Sequence, residues 1–235
     1  MEKVFDLSLN VFFAVIAITW WVLLVILSLP FFILGLLYNP RPFRKIYEQI
    51  HAKRLRKIFY TPVRGLDEYL KPGLKVLDLG SGTGLRAEEI ANYYKVKVTL
   101  CDIDDFNRTN LPLKIFDGKN LPFPDKSFDV VLISFVLHHT DHPVELLKEA
   151  KRVAVKNVII YEDNKKDMAS DFFTMMHGRS YNWFHKIKSS CTFYSKEEWE
   201  RIFAKLGYKI VVSLTRWRSD SLTYPVKECL FILAN

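Results

Sequence analysis

Charge is missing from the longest apolar stretch of this 235-residue chain. Residues 11–38, VFFAVIAITWWVLLVILSLPFFILGLLY, hold no Asp, Glu, Lys or Arg. Roughly 20 apolar residues suffice for a helix to cross the hydrocarbon core of a bilayer, and a buried core helix rarely stays uncharged over such a length. Cysteine is scarce as well. The three, Cys101, Cys191 and Cys229, are odd in number and scattered, which excludes a disulfide framework and a paired zinc-ligand pattern and points to a reducing compartment. No metal site is expected from the sequence. A basic start and a small-residue cleavage site are also lacking after MEKVFD, so the apolar run reads as an anchor and not as a cleaved signal peptide.

The net charge of +8 is not spread over the chain. Arg41, Arg44, Lys45, Lys53, Arg54, Arg56 and Lys57, against Glu48 alone, account for +6 of it. A nucleic-acid groove needs basic residues distributed along a face, so nucleic acid is excluded as a partner. Basic residues that follow a span tend to stay cytoplasmic, which predicts membrane localisation with the rest of the chain on the cytoplasmic side. Pro30 disfavours helix at Leu29, leaving two geometries: a single kinked transmembrane helix, or a re-entrant segment. Trp20 and Trp21 near the middle of the run favour the bent form or a helix packed against a partner. The expected organisation is a membrane anchor over 1–40, a basic juxtamembrane helix over 41–60, and a folded domain over 61–235. The basic helix reads equally as an interfacial helix on anionic headgroups or as a solvated linker.

Beyond Pro72-Gly73 a β/α alternation begins, with strand candidates at 75–79, 96–101, 113–116, 129–135 and 157–161 and helices near 84–94 and 143–153. Such alternation predicts a parallel sheet with helices on both faces, and ligands beyond the carboxyl ends of its strands. The first strand runs into KVLDLGSGTG, residues 75–84. Its glycines read G-x-G-x-G, with Leu85 where a dinucleotide fingerprint has its third glycine, and no Gly-Lys-Ser/Thr follows. Asp78 stands just before the turn. A carboxylate there repels a pyrophosphate and attracts a cation, so a ligand carrying ammonium and sulfonium groups fits better. Asp102 ends the second strand 18 residues past Gly84, placed to accept hydrogen bonds from ribose hydroxyls.

VLDLGSGTG, LCDIDD and DGKNLPFPDKSFDVVLISFVLHHTDHPVELLKEAKRV together resemble the class I S-adenosylmethionine-dependent methyltransferases, in the small-molecule and lipid branch often called type 11, over about residues 60–163. The resemblance implies an α/β, Rossmann-like sheet of seven strands whose last hairpin is antiparallel, preceded here by the transmembrane or re-entrant helix. It also implies S-adenosyl-L-methionine as cofactor. Asp78, Gly80, Ser81, Gly82 and Gly84 would surround the methionine moiety, and Asp102, with Ile103 beside it, would bind the ribose. Asp117 and Gly118 would reach the adenine amine, while Ser134 and Phe135 close the site. One departure is RVAVKNVIIYED, which runs straight on where the family usually has a Lys-Pro-Gly-Gly turn.

Farther on, Ser195 and Glu198 make a capping box, Gly207 a helix stop, and YKIVVSLTR and ECLFILAN two more strands. Residues 164–193, rich in Phe, Met and Trp, read either as core or as a lid over an acceptor site. His138 and His139, after strand four, are the candidates for a catalytic base, and Glu162 and Asp163 for holding the acceptor. Neither an Asn-Pro-Pro-Tyr run nor a Pro-Cys pair is present. A lipid or other membrane-associated small molecule is the expected methyl acceptor; a membrane-tethered protein methyltransferase and a non-enzymatic scaffold are the alternatives.

Overall fold

The structure, a computed structural model, describes residues 15, 16, 18–23, 26, 65–185, 189–217 and 224–235. The expected basic helix over 41–60 lies outside the described residues, as does most of the apolar run. Within that run the described residues are helical. Among the described residues no helix is long and apolar enough to cross a membrane.

Seven strands form one sheet: β1 (Lys75–Leu79), β2 (Lys97–Asp102), β3 (Leu113–Ile115), β4 (Phe128–Ser134), β5 (Ala154–Asp163), β6 (Lys209–Trp217) and β7 (Lys227–Ala234). Their order is β3-β2-β1-β4-β5-β7-β6. The first five pair in parallel, and β7 runs antiparallel to both β5 and β6. Parallel strands buried on both faces read as apolar runs, and Val130–Ile133 in β4 are all buried. Strand order reverses between β1 and β4, so the crevice at their carboxyl ends is the place for a ligand.

Side chains alternate across the sheet. Val76, Val98, Leu100 and Leu132 face Ala87 and Ile90 of α1 (Leu85–Tyr94). Leu77, Leu79, Val131 and Ile133 face Leu146, Leu147 and Ala150 of α2 (Pro143–Val153), with Trp199 and Phe203 of a later helix. Because α2 ends at Val153 and β5 starts at Ala154, no glycine turn separates them. β5 is accordingly longer at both ends than the stretch 157–161 expected from its apolar residues.

The stretch 164–193 is largely α3 (Met168–His185). Asp167 Oδ1 accepts from the Ser170 N–H, and Ser170 Oγ accepts from the N–H groups of Lys166 and Asp167. This reciprocal start uses Ser where the usual signature has Glu or Gln, which is why the sequence pattern did not announce a helix. The last helix, α4 (Lys196–Lys205), has the expected capping box, and Gly207 follows it at φ +68°. Ser195→Ala removes the side-chain acceptor for Glu198 N–H and costs about 1 kcal/mol. Thermal unfolding followed by circular dichroism should show a midpoint lower by about 2–4 °C.

Candidate active site

The β1–α1 turn is shaped by three glycines with positive φ, at +72° for Gly80, +51° for Gly82 and +72° for Gly84. L-residues rarely adopt that region. A Cβ on Gly80 would lie 2.4 Å from Val136 Cγ2, and one on Gly84 would lie 2.7 Å from Leu100 Cδ1. The turn is therefore wedged between the chain leaving β4 and the β2 strand. Gly80 N–H donates to Cys101 O at 2.8 Å, and Gly82 N–H donates to Asp102 Oδ2 at 2.7 Å. Asp102 Oδ1 accepts from Ile103 N–H at 2.7 Å. The Asp104 N–H also serves this carboxylate, which keeps acceptor capacity for an incoming hydroxyl.

Asp78 lies on the α1 side of β1 and is 4% exposed. Burial pushes its carboxyl up to about 7; the nearby Arg86 guanidinium opposes that shift and the Asp102 carboxylate adds to it. Burial is also the main cause that raises Asp102, against the backbone donors that lower it. The Arg86 guanidinium carbon stands 4.2 Å from the Tyr161 ring centre and 5.8 Å from that of Phe135. Phe135 itself takes φ +57°, unusual for a bulky residue, and its N–H donates to Tyr161 O at 2.8 Å. Two hydroxyls, Ser81 Oγ and Ser134 Oγ, are buried without a hydrogen-bond partner among the described residues. Buried polar atoms ordinarily have partners, so these two, at the ends of β1 and β4 beside two acidic side chains, fit a polar cationic ligand.

Gly118, at φ +81°, comes against Ile103, whose Cγ2 would be 3.5 Å from an added Cβ. Asp117 is turned into its own loop. Its Oδ1 accepts from the N–H groups of Lys119 and Asn120, its Oδ2 accepts from Asn120 Nδ2, and these bonds hold its carboxyl at about 2.

His138 is fully buried, and Phe193 stacks on it at 4.4 Å. Its Nδ1 meets Glu162 Oε2 at 2.5 Å, and its Nε2 meets His139 Nε2 at 3.0 Å. Glu162 Oε1 also accepts from the N–H groups of Val136 and Leu137. Asp163 accepts from the Tyr224 hydroxyl at 2.9 Å. Both acids are buried and bonded to donors of the fold, so Glu162 orients His138 and neither reaches out for an acceptor as the sequence reading had it. Residues that sequence reasoning did not single out for the site are Arg86, Tyr161, His177, Cys191 and Phe193, which converge only through the fold. Arg86, two residues past Gly84, was the one with a local signal.

The sign of one pH effect follows from Asp78. In the cofactor-free protein the folded state binds its proton more tightly than the unfolded chain, whose carboxyl titrates near 3.9. The stability held below that value is therefore lost as pH rises from about 4 through about 7. Asp78→Asn should raise stability at pH 8 by roughly 1–3 kcal/mol and flatten this slope. Urea unfolding at pH 5 and pH 8 measures both effects.

Residues 77–161 match the family model described as a methyltransferase domain. The chain is 36% identical over 101 residues to the ubiquinone/menaquinone biosynthesis C-methyltransferase UbiE of Laribacter hongkongensis, a match covering 36% of this chain and 40% of that one. It is 39% identical over 88 residues to the demethylmenaquinone methyltransferase of Corynebacterium kroppenstedtii, covering 35% and 38%. The matches thus span about two fifths of these relatives. Among solved structures, an Aquifex aeolicus SAM-dependent methyltransferase superposes with a TM-score of 0.57 at 18% identity, over 84% of this chain and all of that one. A Haloferax volcanii complex of a putative methyltransferase with the Trm112 activator gives 0.61 at 16% identity, over 78% of this chain and 93% of the matched one. The seven-stranded order is thus the fold of these solved structures, and residues 77–161, which include the glycine turn and the two buried acids, resemble a methyltransferase domain.

Proposed function

We propose that the chain is a membrane-associated S-adenosylmethionine-dependent methyltransferase whose acceptor is a lipid or other membrane-associated small molecule. The observation that carries the cofactor half is the pairing of buried Asp78 and Asp102 around a glycine turn, with Ser81 and Ser134 hydroxyls left for a ligand. When bound, S-adenosylmethionine supplies an activated methyl group on a sulfonium. Asp78 would take the cationic methionine part, and Asp102 would accept from the ribose hydroxyls. Ile103 and Gly118 would hold the adenine, with Asp117, bonded into its own loop, beside them. In-line transfer from an activated donor asks the protein mainly for proximity and alignment. A base is required only where the acceptor atom is protonated at working pH. The Glu162–His138–His139 chain can hold such a proton at the His138–His139 nitrogen pair.

Three features support the acceptor class. Met168, Phe172 and Met175 expose soft, apolar side chains along α3, Met168 at 86% exposure. A cavity of about 540 Å³ beside that helix is lined by Met175 and Phe193 and, for the greater part, by polar groups such as Lys165, Asp171, Arg179 and Ser190, a setting for the polar end of a molecule whose apolar part meets the exposed side chains of α3. The relatives named above are quinone-biosynthesis methyltransferases, which favours an isoprenoid ring compound. Membrane residence is supported by the uncharged run 11–38, whose described residues Val15, Ile18, Trp20, Val22, Leu23 and Ile26 present exposed apolar side chains. The basic residues that follow favour a cytoplasmic catalytic domain.

Calorimetric titration should show one S-adenosylmethionine bound per chain, weakened about 10–100-fold by Asp102→Ala, as expected for losing hydrogen bonds to a charged group. Labelled methyl groups should enter the lipid fraction of a membrane extract. Label appearing solely in added protein would overturn the acceptor half.

A further inference from the structure

We infer that His138, His139 and His177 form a divalent transition-metal site, with zinc as the favoured ion. Their candidate ligand atoms lie within 4.8 Å of one another. The rings come from two elements: His138 and His139 from the 3-10 turn Leu137–His139 after β4, and His177 from α3. Ring centres of His177 are 5.7 Å from His138 and 5.4 Å from His139.

The approach of the three rings carries the inference, and their outer partners support it. Glu162 Oε1 accepts from the N–H groups of Val136 and Leu137, and its Oε2 meets His138 Nδ1, where an N–H completes its hydrogen bonding. Cys191 Sγ lies 3.6 Å from His139 Nδ1, while its own S–H can donate to Gly178 O at 3.7 Å. With an N–H at His139 Nδ1 the sulfur accepts there, and Ser189 Oγ stands 3.2 Å from the sulfur on another side. In that tautomer the two Nε2 atoms, 3.0 Å apart, both offer acceptor lone pairs to a shared point where a cation would sit. A third histidine with its ligand atom within 4.8 Å makes that point a fit for a metal. Tetrahedral zinc with bonds of 2.0–2.1 Å separates its nitrogens by about 3.3 Å, a small adjustment for the 138–139 pair and a side-chain rotation for His177.

A carboxylate behind a ligating histidine fixes its tautomer and raises its basicity, and such partners are part of metal sites. Here Glu162 fills that place for His138 and the Cys191 sulfur for His139. Cys191 is brought close by Gly178, where an added Cβ would stand 2.7 Å from Cys191 Cβ. Nitrogen donors with sulfur nearby suit zinc better than magnesium or calcium. Three protein ligands leave a fourth position open; Cys191 and Phe193 also line the 540 Å³ cavity. An acceptor oxygen in that position would be held deprotonated without a side-chain base. This last assignment rests on the methyltransferase reading, whereas metal binding does not.

The test is a cobalt titration of the chelator-stripped, full-length protein under reducing conditions. One equivalent should give the visible absorption of four-coordinate cobalt, abolished by added zinc. His139→Ala and His177→Ala should each weaken cobalt binding at least 10-fold, and Glu162→Gln about 10-fold. Titration with S-adenosylmethionine checks that the variants are folded and reports separately on the cofactor site. A spectrum that stays that of the hydrated ion, or wild-type cobalt affinity in folded His177→Ala, would overturn the metal site and leave a shared proton between His138 and His139.

Discussion

Asp78 and Asp102 are carboxylates buried at the carboxyl edge of a parallel sheet, and much of the site can be understood as the arrangement that tolerates them. Asp102 is compensated by backbone donors from Gly82 and Ile103. Asp78 has the Arg86 guanidinium as its counter-charge, and its raised proton affinity shows that this compensation is incomplete. An uncompensated buried acid is a standing demand for a cation. Strand order supplies the opening: at the reversal between β1 and β4 the crossovers part, so a ligand can reach both acids. The glycines follow from the same constraint, since a side chain on Gly80 would strike Val136.

The edge that carries the acids and the glycine turn was legible because it is local. Asp78, the three glycines and Asp102 sit at the ends of two adjacent strands that apolar runs announce, and β-strand register carries them to one edge. Ser134 and Phe135, at the end of β4, were named through the family resemblance and not through strand spacing. What spacing could not convey was the direction of a side chain. Asp117 stands where the resemblance leads one to expect it, yet its carboxylate is bonded to the N–H groups of Lys119 and Asn120. Short polar side chains in loops are prone to such local closure.

The histidine cluster was less legible because it is assembled across distance in sequence. Glu162 and His138 are 24 residues apart, and Cys191 and His139 are 52 apart. No periodicity links such residues; only the parallel pairing of β4 with β5 and the seating of α3 do so. The His-His dipeptide was conspicuous in the sequence, but its two members differ. His138 is buried against Phe193 and held by Glu162, whereas His139 is half-buried and looks toward α3.

This asymmetry bears on how the two halves communicate. Val136 closes over Gly80 of the cofactor turn, and its N–H, like that of Leu137, is held by Glu162. The same carboxylate orients His138 on the acceptor side. One buried acid therefore fixes both the wall of the cofactor turn and the first histidine of the cluster. The groups that join the glycine turn to the histidine pair are already within hydrogen-bond or packing distance, with no moving element between them. A scaffold of that kind suits chemistry that asks mainly for proximity and alignment.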